Sequence, residues 1–360
     1  MSAPYSLQEV SPDESASDEQ DEHNEPVARK RSKRKWPGLV LRAGGTILLF
    51  TLLLKSISWS DLLQNIYHLD DSVLLIAVML GVLGVVISAY QWQVLLDGEG
   101  IRVDLRKLVN LYIIGIAFSH FFPTGMGGDI VKIYHVGREG KNFAGSACAA
   151  LMSRVTGYIG MLLLSLPVLF IWQENFSRPL TVTYVLSSIL MCAGLVVSAG
   201  VVMALPHILQ GKWATWRIFS TLGNVGSAIL ASIRRPSFMT GSVLFGVLFH
   251  LSAALNYYAY GMALHLQVPV TFYLVAIPLV SLVAFLPFSI NGFGLRESAL
   301  VYVFSTMHVP GTTSMLLGLL VDAQSLFFGL VGGALYLAMG RAKARLETRD
   351  ALAVVQEASA

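Results

Sequence analysis

Apolar stretches near the roughly 20 residues that a bilayer crossing demands recur along this chain, at about 38–54, 73–96, 144–172, 180–204, 238–264 and 313–339. A soluble domain has no use for so many. Its surface needs about a quarter of all residues charged, whereas here 13% are charged and 54% are hydrophobic. The chain is therefore read as an all-α polytopic membrane protein with about six full transmembrane helices, in keeping with a mean hydropathy of +0.63. Both cysteines, Cys148 and Cys192, sit inside apolar runs, so neither a disulfide framework nor a zinc site is indicated. No metal or other cofactor is expected.

Charge distribution supplies a topology. Residues 1–37 begin acidic and Ser-rich (SPDESASDEQDEHNE) and turn basic at RKRSKRK, Arg29 to Lys35, with too few apolar residues for a core. They are expected to form a disordered cytoplasmic tail rather than a cleaved signal peptide. The basic cluster either orients the first span or binds anionic headgroups. The loop at 55–72 carries Asp61, Asp70 and Asp71 and falls outside, while Arg102, Arg106 and Lys107, then Lys212, Arg217, Arg234 and Arg235, mark cytoplasmic connections. The membrane domain is expected over 38–340, followed by a short cytoplasmic C-terminal tail, 341–360, that includes RAKARLETR.

Two apolar segments do not fit as ordinary spans: 108–122, continuing to about 143, and 270–286, continuing to about 308. A helix from Leu108 to Phe122 covers about 22 Å, short of the ~30 Å hydrocarbon core. It then meets FFPTGMGGDIVK; the later segment meets FLPFSINGFGLRE. Each break is a proline, a glycine-rich bend and then charge. If the first segment crossed, Lys132, His135, Arg138 and Lys141 would fall on the wrong side. Two re-entrant helical hairpins, entering from opposite faces, keep the count consistent and make span, hairpin, span an inverted repeat. Secondary transporters build midplane sites from such broken helices. Backbone groups left unpaired at membrane depth survive only inside protein or against a wet cavity. There a half-helix N-terminus suits an anion such as a lipid phosphate. Ordinary extramembrane turns are the plainer reading.

Charges within the apolar runs add candidates. Arg154, in ALMSRVTGY, is costly unless it meets a partner or water, or snorkels to the interface. Asp322 is equally deep, with Gln324 and Ser325 following, and either serves a site or neutralises Arg154 or Arg296. Asp129 and Lys132, three apart, can pair; Glu297 can pair with Arg296 or cap its helix. His250, Asn256, Tyr257 and Tyr258 are read as polar packing and interfacial aromatics.

Together, PTGMGGDIVKIYHVGR, SRVTGY and SINGFGLRE resemble the paired signatures of the lysylphosphatidylglycerol synthase transmembrane-region family, or flippase-like domain proteins, over about residues 38–340. The resemblance implies a protein of the bacterial inner membrane linked to movement of lipids between leaflets: aminoacylated phospholipids, hopanoids or polyprenyl-linked sugars. By motif position it implies a shared core of Gly127, Gly128, Asp129, Arg154, Asn291, Gly292, Gly294, Arg296 and Glu297. Two departures stand out. Bifunctional members append a soluble aminoacyl transferase domain, and this chain ends about 20 residues after its last span, so synthase activity is expected to be absent. Many members also carry an acid before the arginine where this chain has Ser153.

The candidate substrate-binding set is thus Gly127, Gly128, Asp129, Lys132, Arg154, Asn291, Gly292, Gly294, Arg296, Glu297 and Asp322. The leading expectation is a lipid translocase and not an enzyme, with membrane lipids bearing phosphate headgroups as partners and no nucleic acid. GREGK at 137–141 lacks the length and Ser/Thr of a phosphate-binding loop, so no nucleotide motor is read. The alternatives are a membrane-embedded transferase with Asp129 or Glu297 as base, or an accessory scaffold for lipid-synthesis enzymes.

Overall fold

The computed structural model describes residues 69–121, 127–208, 229, 235–284 and 292–358, and the regular structure among them is entirely helical. In chain order the helices are α1 (Asp71–Gly98), α2 (Leu105–Phe121), α3 (Gly127–Glu139), α4 (Phe143–Ile171), α5 (Arg178–Ile208), α6 (Pro236–Ala263), α7 (Val270–Ala284), α8 (Leu295–Ser305) and α9 (Gly311–Ala358). The acidic-basic tail, the 38–54 run, Pro123, Gly125, Pro287 and Asn291 lie outside the described residues.

Local chemistry sets several of the boundaries. Asp70 starts α1 by accepting the Ser72 and Val73 amides at 2.9 and 3.3 Å, and Asn142 starts α4 by accepting the Gly145 amide at 2.8 Å. Pro236 occupies the first turn of α6, where its missing N–H costs nothing. Five helices are long and apolar enough to cross a membrane: Asp71–Gly98, Phe143–Ile171, Arg178–Val197, Pro236–Ala263 and Gly311–Met339. Each coincides with an apolar run read from the sequence. Large apolar side chains remain exposed along them, including Leu75, Met79 and Leu83 on α1 and Val182, Leu186, Ile189 and Leu190 on α5. Apolar surface of that extent is stable against lipid, not water.

The remaining four helices have 17, 13, 15 and 11 residues, or about 16–26 Å each at 1.5 Å per residue, too short to cross alone. They pair as two antiparallel hairpins. In the first, Lys107 of α2 pairs with Glu139 of α3, Lys132 lies over the Tyr112 ring, and Gly128 faces Gly115. In the second, Phe304 of α8 packs at 5.3 Å on the rings of both Phe272 and Tyr273 of α7, while Gly292 meets Ala284.

Helix directions follow from the contacts. α6 runs antiparallel along α1, with Asn256 bonded to the Ala77 carbonyl, Ser252 to the Leu80 carbonyl at 3.0 Å, and Tyr90 stacked on Phe245 at 5.6 Å. α4 runs parallel to α6: Thr156 reaches Ser242 at 2.6 Å and Gly160 lies against Gly246 and Val247. α1 therefore ends, and α4 begins, where α6 begins, and Gly98 packs on Phe238 there. The first hairpin leaves and returns at this end of the bundle. The second leaves α6 and returns to α9 at the other end, and α9 then descends antiparallel to α2, with Gly332 against Ile113. Small residues at these crossings let backbones approach, the usual device where lipid removes the hydrophobic drive between helices.

Candidate functional site

The first polar group is assembled by backbone contact. A Cβ on Gly128 would lie 2.4 Å from the Gly115 carbonyl oxygen, so only glycine lets α3 start this close to α2, and the Gly128 amide donates to Ser119 Oγ at 3.3 Å. That packing fixes Asp129 in the first turn of α3, where the helix dipole favours an acid. Lys132, one turn on and 7% exposed, places Nζ 2.8 Å from Asp129 Oδ1. Its ammonium also sits 3.8 Å from the Tyr112 ring centroid and 5.4 Å from that of Trp92, which helps offset its burial. From α4, Arg154 donates to Asp129 Oδ2 through Nε at 2.9 Å and through a terminal nitrogen as well. The Arg154 side chain stays 36% exposed. Among the described residues one acid, Asp129, serves both cations here.

The second polar group has the opposite balance. Gly292 and Gly294 hold φ of +81° and +82°, a region open to glycine, and turn the chain into α8. The Arg296 amide closes this turn on the Gly292 carbonyl at 2.9 Å. Glu297, 0% exposed, reaches back to accept the Gly294 amide, the returning half of a capping box. Arg296 donates to Asp322 of α9. Two acids thus face one cation. Glu297 Oε1 and Asp322 Oδ2 are buried without a hydrogen-bond partner among the described residues.

The hairpins converge. His120, near the end of α2, places Nε2 3.1 Å from Ser325 Oγ on α9, one turn beyond Asp322, and its ring lies 6.2 Å from that of Phe293 in the second hairpin's turn. Two buried amides frame this region. Gln91 of α1 reaches Ser153 O, Thr156 Oγ1 and Ser242 O, each at 3.2 Å, and Asn256 of α6 reaches Ala77 O and, at 3.2 Å, Gln324 Oε1. Among the described residues, no three His, Cys, Asp or Glu side chains gather in a way that would hold a metal.

The sequence profile of the family described as Lysylphosphatidylglycerol synthase TM region matches residues 38–333. The chain belongs to this family. Together with the five apolar helices, membership makes it an integral membrane protein. No curated protein and no solved structure matches the chain. The matched span contains both hairpins and both polar groups.

Of the residues singled out from the sequence, Gly127, Gly128, Asp129, Lys132 and Arg154 come together at the first hairpin, and Gly292, Gly294, Arg296, Glu297 and Asp322 at the second. Asn291 lies outside the described residues. Asp322 pairs with Arg296 rather than Arg154. Ser153, standing before Arg154, turns its hydroxyl back to the Ala150 carbonyl at 2.7 Å, and Arg154 takes its acid from α3 instead. Asn256 packs as a structural amide. Three participants escaped the sequence reading: Tyr112 and Trp92, which no local pattern marks, and His120, which its place in an apolar run just ahead of a glycine-proline break could have marked.

Proposed function

We infer that this protein moves an anionic lipid between leaflets without a nucleotide motor, through two re-entrant hairpins in an inverted repeat. The hairpins open at opposite ends of the bundle, and their four helices are each too short to span it. Those are the features expected of broken helices meeting near a membrane midplane. The carrying observation is the gathering of two cations at the first hairpin: Lys132 and Arg154 both reach the Asp129 carboxylate, beside the N-terminus of α3, and Arg154 keeps an accessible side. A phosphate-bearing headgroup matches that charge, and helix N-termini and arginine forks both suit phosphate oxygens.

Orientation follows the same logic. Arg102, Arg106, Lys107, Arg138, Lys141 and Arg235 lie at the end where the first hairpin opens. Asp70, Asp71 and Glu174 lie at the other, where Arg178 is the one Lys or Arg among the described residues. The basic end is the cytoplasmic one by the positive-inside rule; with the apolar run at 38–54 read as a further crossing, both termini fall inside, in a bacterial inner membrane on this reading.

Proteoliposomes carrying fluorescent anionic and zwitterionic lipids test the assignment. Arg154→Gln should slow transbilayer movement of the anionic lipid by about tenfold to a hundredfold, the worth of a charged hydrogen bond, with the fold retained. Equal rates in wild type and variant, or no movement above protein-free vesicles, would refute it.

A further inference from the structure

The second polar group poses a charge problem that the first does not. Glu297 is 0% exposed and Asp322 4%. Arg296 is the cation beside them among the described residues, and its guanidinium donates to Asp322 Oδ1. Glu297 Oε2 is occupied by the Gly294 amide. The remaining oxygens, Glu297 Oε1 and Asp322 Oδ2, have no donor among the described residues, and the Glu297 side chain lies against Gly318, one turn before Asp322 on α9, so the two carboxyls share one buried region. An ionised carboxylate can only accept hydrogen bonds, whereas a protonated one donates. Two buried acceptors facing each other are repulsive until a proton lies between them, and then each satisfies the other. Like-charged carboxylates in one dry site resolve their repulsion in this way.

The surroundings supply no substitute. Among the described residues, the charged and titratable groups acting here are Arg296 and Glu297 from α8 and Asp322 from α9, with the Tyr257 phenol from α6. From α2, His120 is engaged one turn along α9 by Ser325. From α1 come backbone carbonyls, already bonded to the Asn256 and Gln324 amides. Gly318 backs the Glu297 side chain so closely that its own Cβ would come within 3.3 Å of Glu297 Cγ.

We propose that Glu297 and Asp322 hold one exchangeable proton between them, and that this carboxyl pair is where a proton gradient couples to lipid movement. The balance is simple: a hydronium ion gives its proton to one carboxylate, one O–H bond breaking as another forms, which leaves water and a carboxylic acid. With it, the Arg296, Glu297 and Asp322 group is neutral and the arrangement described above is stable while closed. Without it, the group carries a net negative charge in a dry site, which favours a state that admits water. Proton binding at the second hairpin thereby biases whether the bundle is closed. The coupling role rests on the translocator reading; the shared proton does not.

Two measurements on the full-length protein in lipid separate these claims. Infrared spectroscopy in nanodiscs at neutral pH should show a protonated-carboxyl C=O band that disappears in both Glu297→Gln and Asp322→Asn. Glu297→Gln keeps the size and the cap on Gly294, so it should fold. In proteoliposomes, an imposed pH gradient should change the wild-type rate of lipid movement severalfold and leave the Glu297→Gln rate unaltered. Absence of the band, or its appearance only when sodium is withdrawn, would overturn the shared proton, the second result pointing to a bound cation in its place. A band that behaves as expected, with wild-type movement indifferent to the gradient, would overturn the coupling role. No lipid movement at all would remove the translocator reading and leave the proton standing.

Discussion

Among the described residues, the first hairpin sets one acid between two cations, whereas the second gathers two buried acids with one arginine, which pairs with Asp322 while Glu297 caps the Gly294 amide. Their frames are otherwise alike, each a short second helix that opens at glycines, Gly127 and Gly128 or Gly294, with an acid in its first turn. The contrast teaches that the backbone device and the sign of the site are separable. Glycines and short helices deliver a helix N-terminus into the bundle, and the neighbouring span decides what the charge there will be: α4 brings Arg154 to the first, α9 brings Asp322 to the second.

Removing each arginine in turn gives the sharpest test. Arg296→Ala strands two buried carboxyls and should cost about 3–5 kcal/mol, the scale of a broken buried ion pair. Arg154→Ala leaves Asp129 with Lys132 and removes a partly exposed side chain, so its cost should be about 0–1 kcal/mol. Unfolding followed by fluorescence in matched detergent checks both. Equal losses would mean that the two groups are structurally equivalent and the contrast has no energetic content.

The glycines separate the hairpins by cause. Gly128→Ala drives a Cβ into the α2 backbone and should destabilise by about 1–3 kcal/mol through overpacking. Gly292→Ala meets its nearest neighbour at 3.2 Å but must hold φ of +81°, which costs about 1–2 kcal/mol. Asparagine, which tolerates that conformation better, should restore part of the loss at 292 and none at 128. Lys132→Met keeps the apolar stem and forfeits an ion pair and a cation–π contact, together about 1 kcal/mol. It should lower the preference for anionic over zwitterionic lipid severalfold in the vesicle assay, because it removes one of the two cations that gather there. An unchanged preference would show that Arg154 alone sets the sign.

Much of this architecture was legible in the chain because bilayer thickness is a ruler. Five of the six apolar runs became long helices, the sixth lying outside the described residues, and the two segments too short for the ruler each became a pair of short helices. The Asp129–Lys132 pair was also legible, since residues three apart on a helix are neighbours. What could not be read is which faces meet. Soluble helices betray their inner face by a polar stripe opposite, but spans such as α1 and α6 are apolar all round, so nothing local places Tyr112 and Trp92 under Lys132. The partner of Arg154 was hidden for a related reason. It lies 25 residues earlier, and only the seating of α3 against α2 and α4 brings it near. The charge sites were visible; the rotations that join them were not.

Gln91 and Asn256 fasten α1 and α6 to one another at two levels, and each amide also holds a third helix, α4 and α9 respectively. A pair tied twice along its length cannot easily slide or splay. It acts as a mast, and any motion of the remaining helices would have to take place around it.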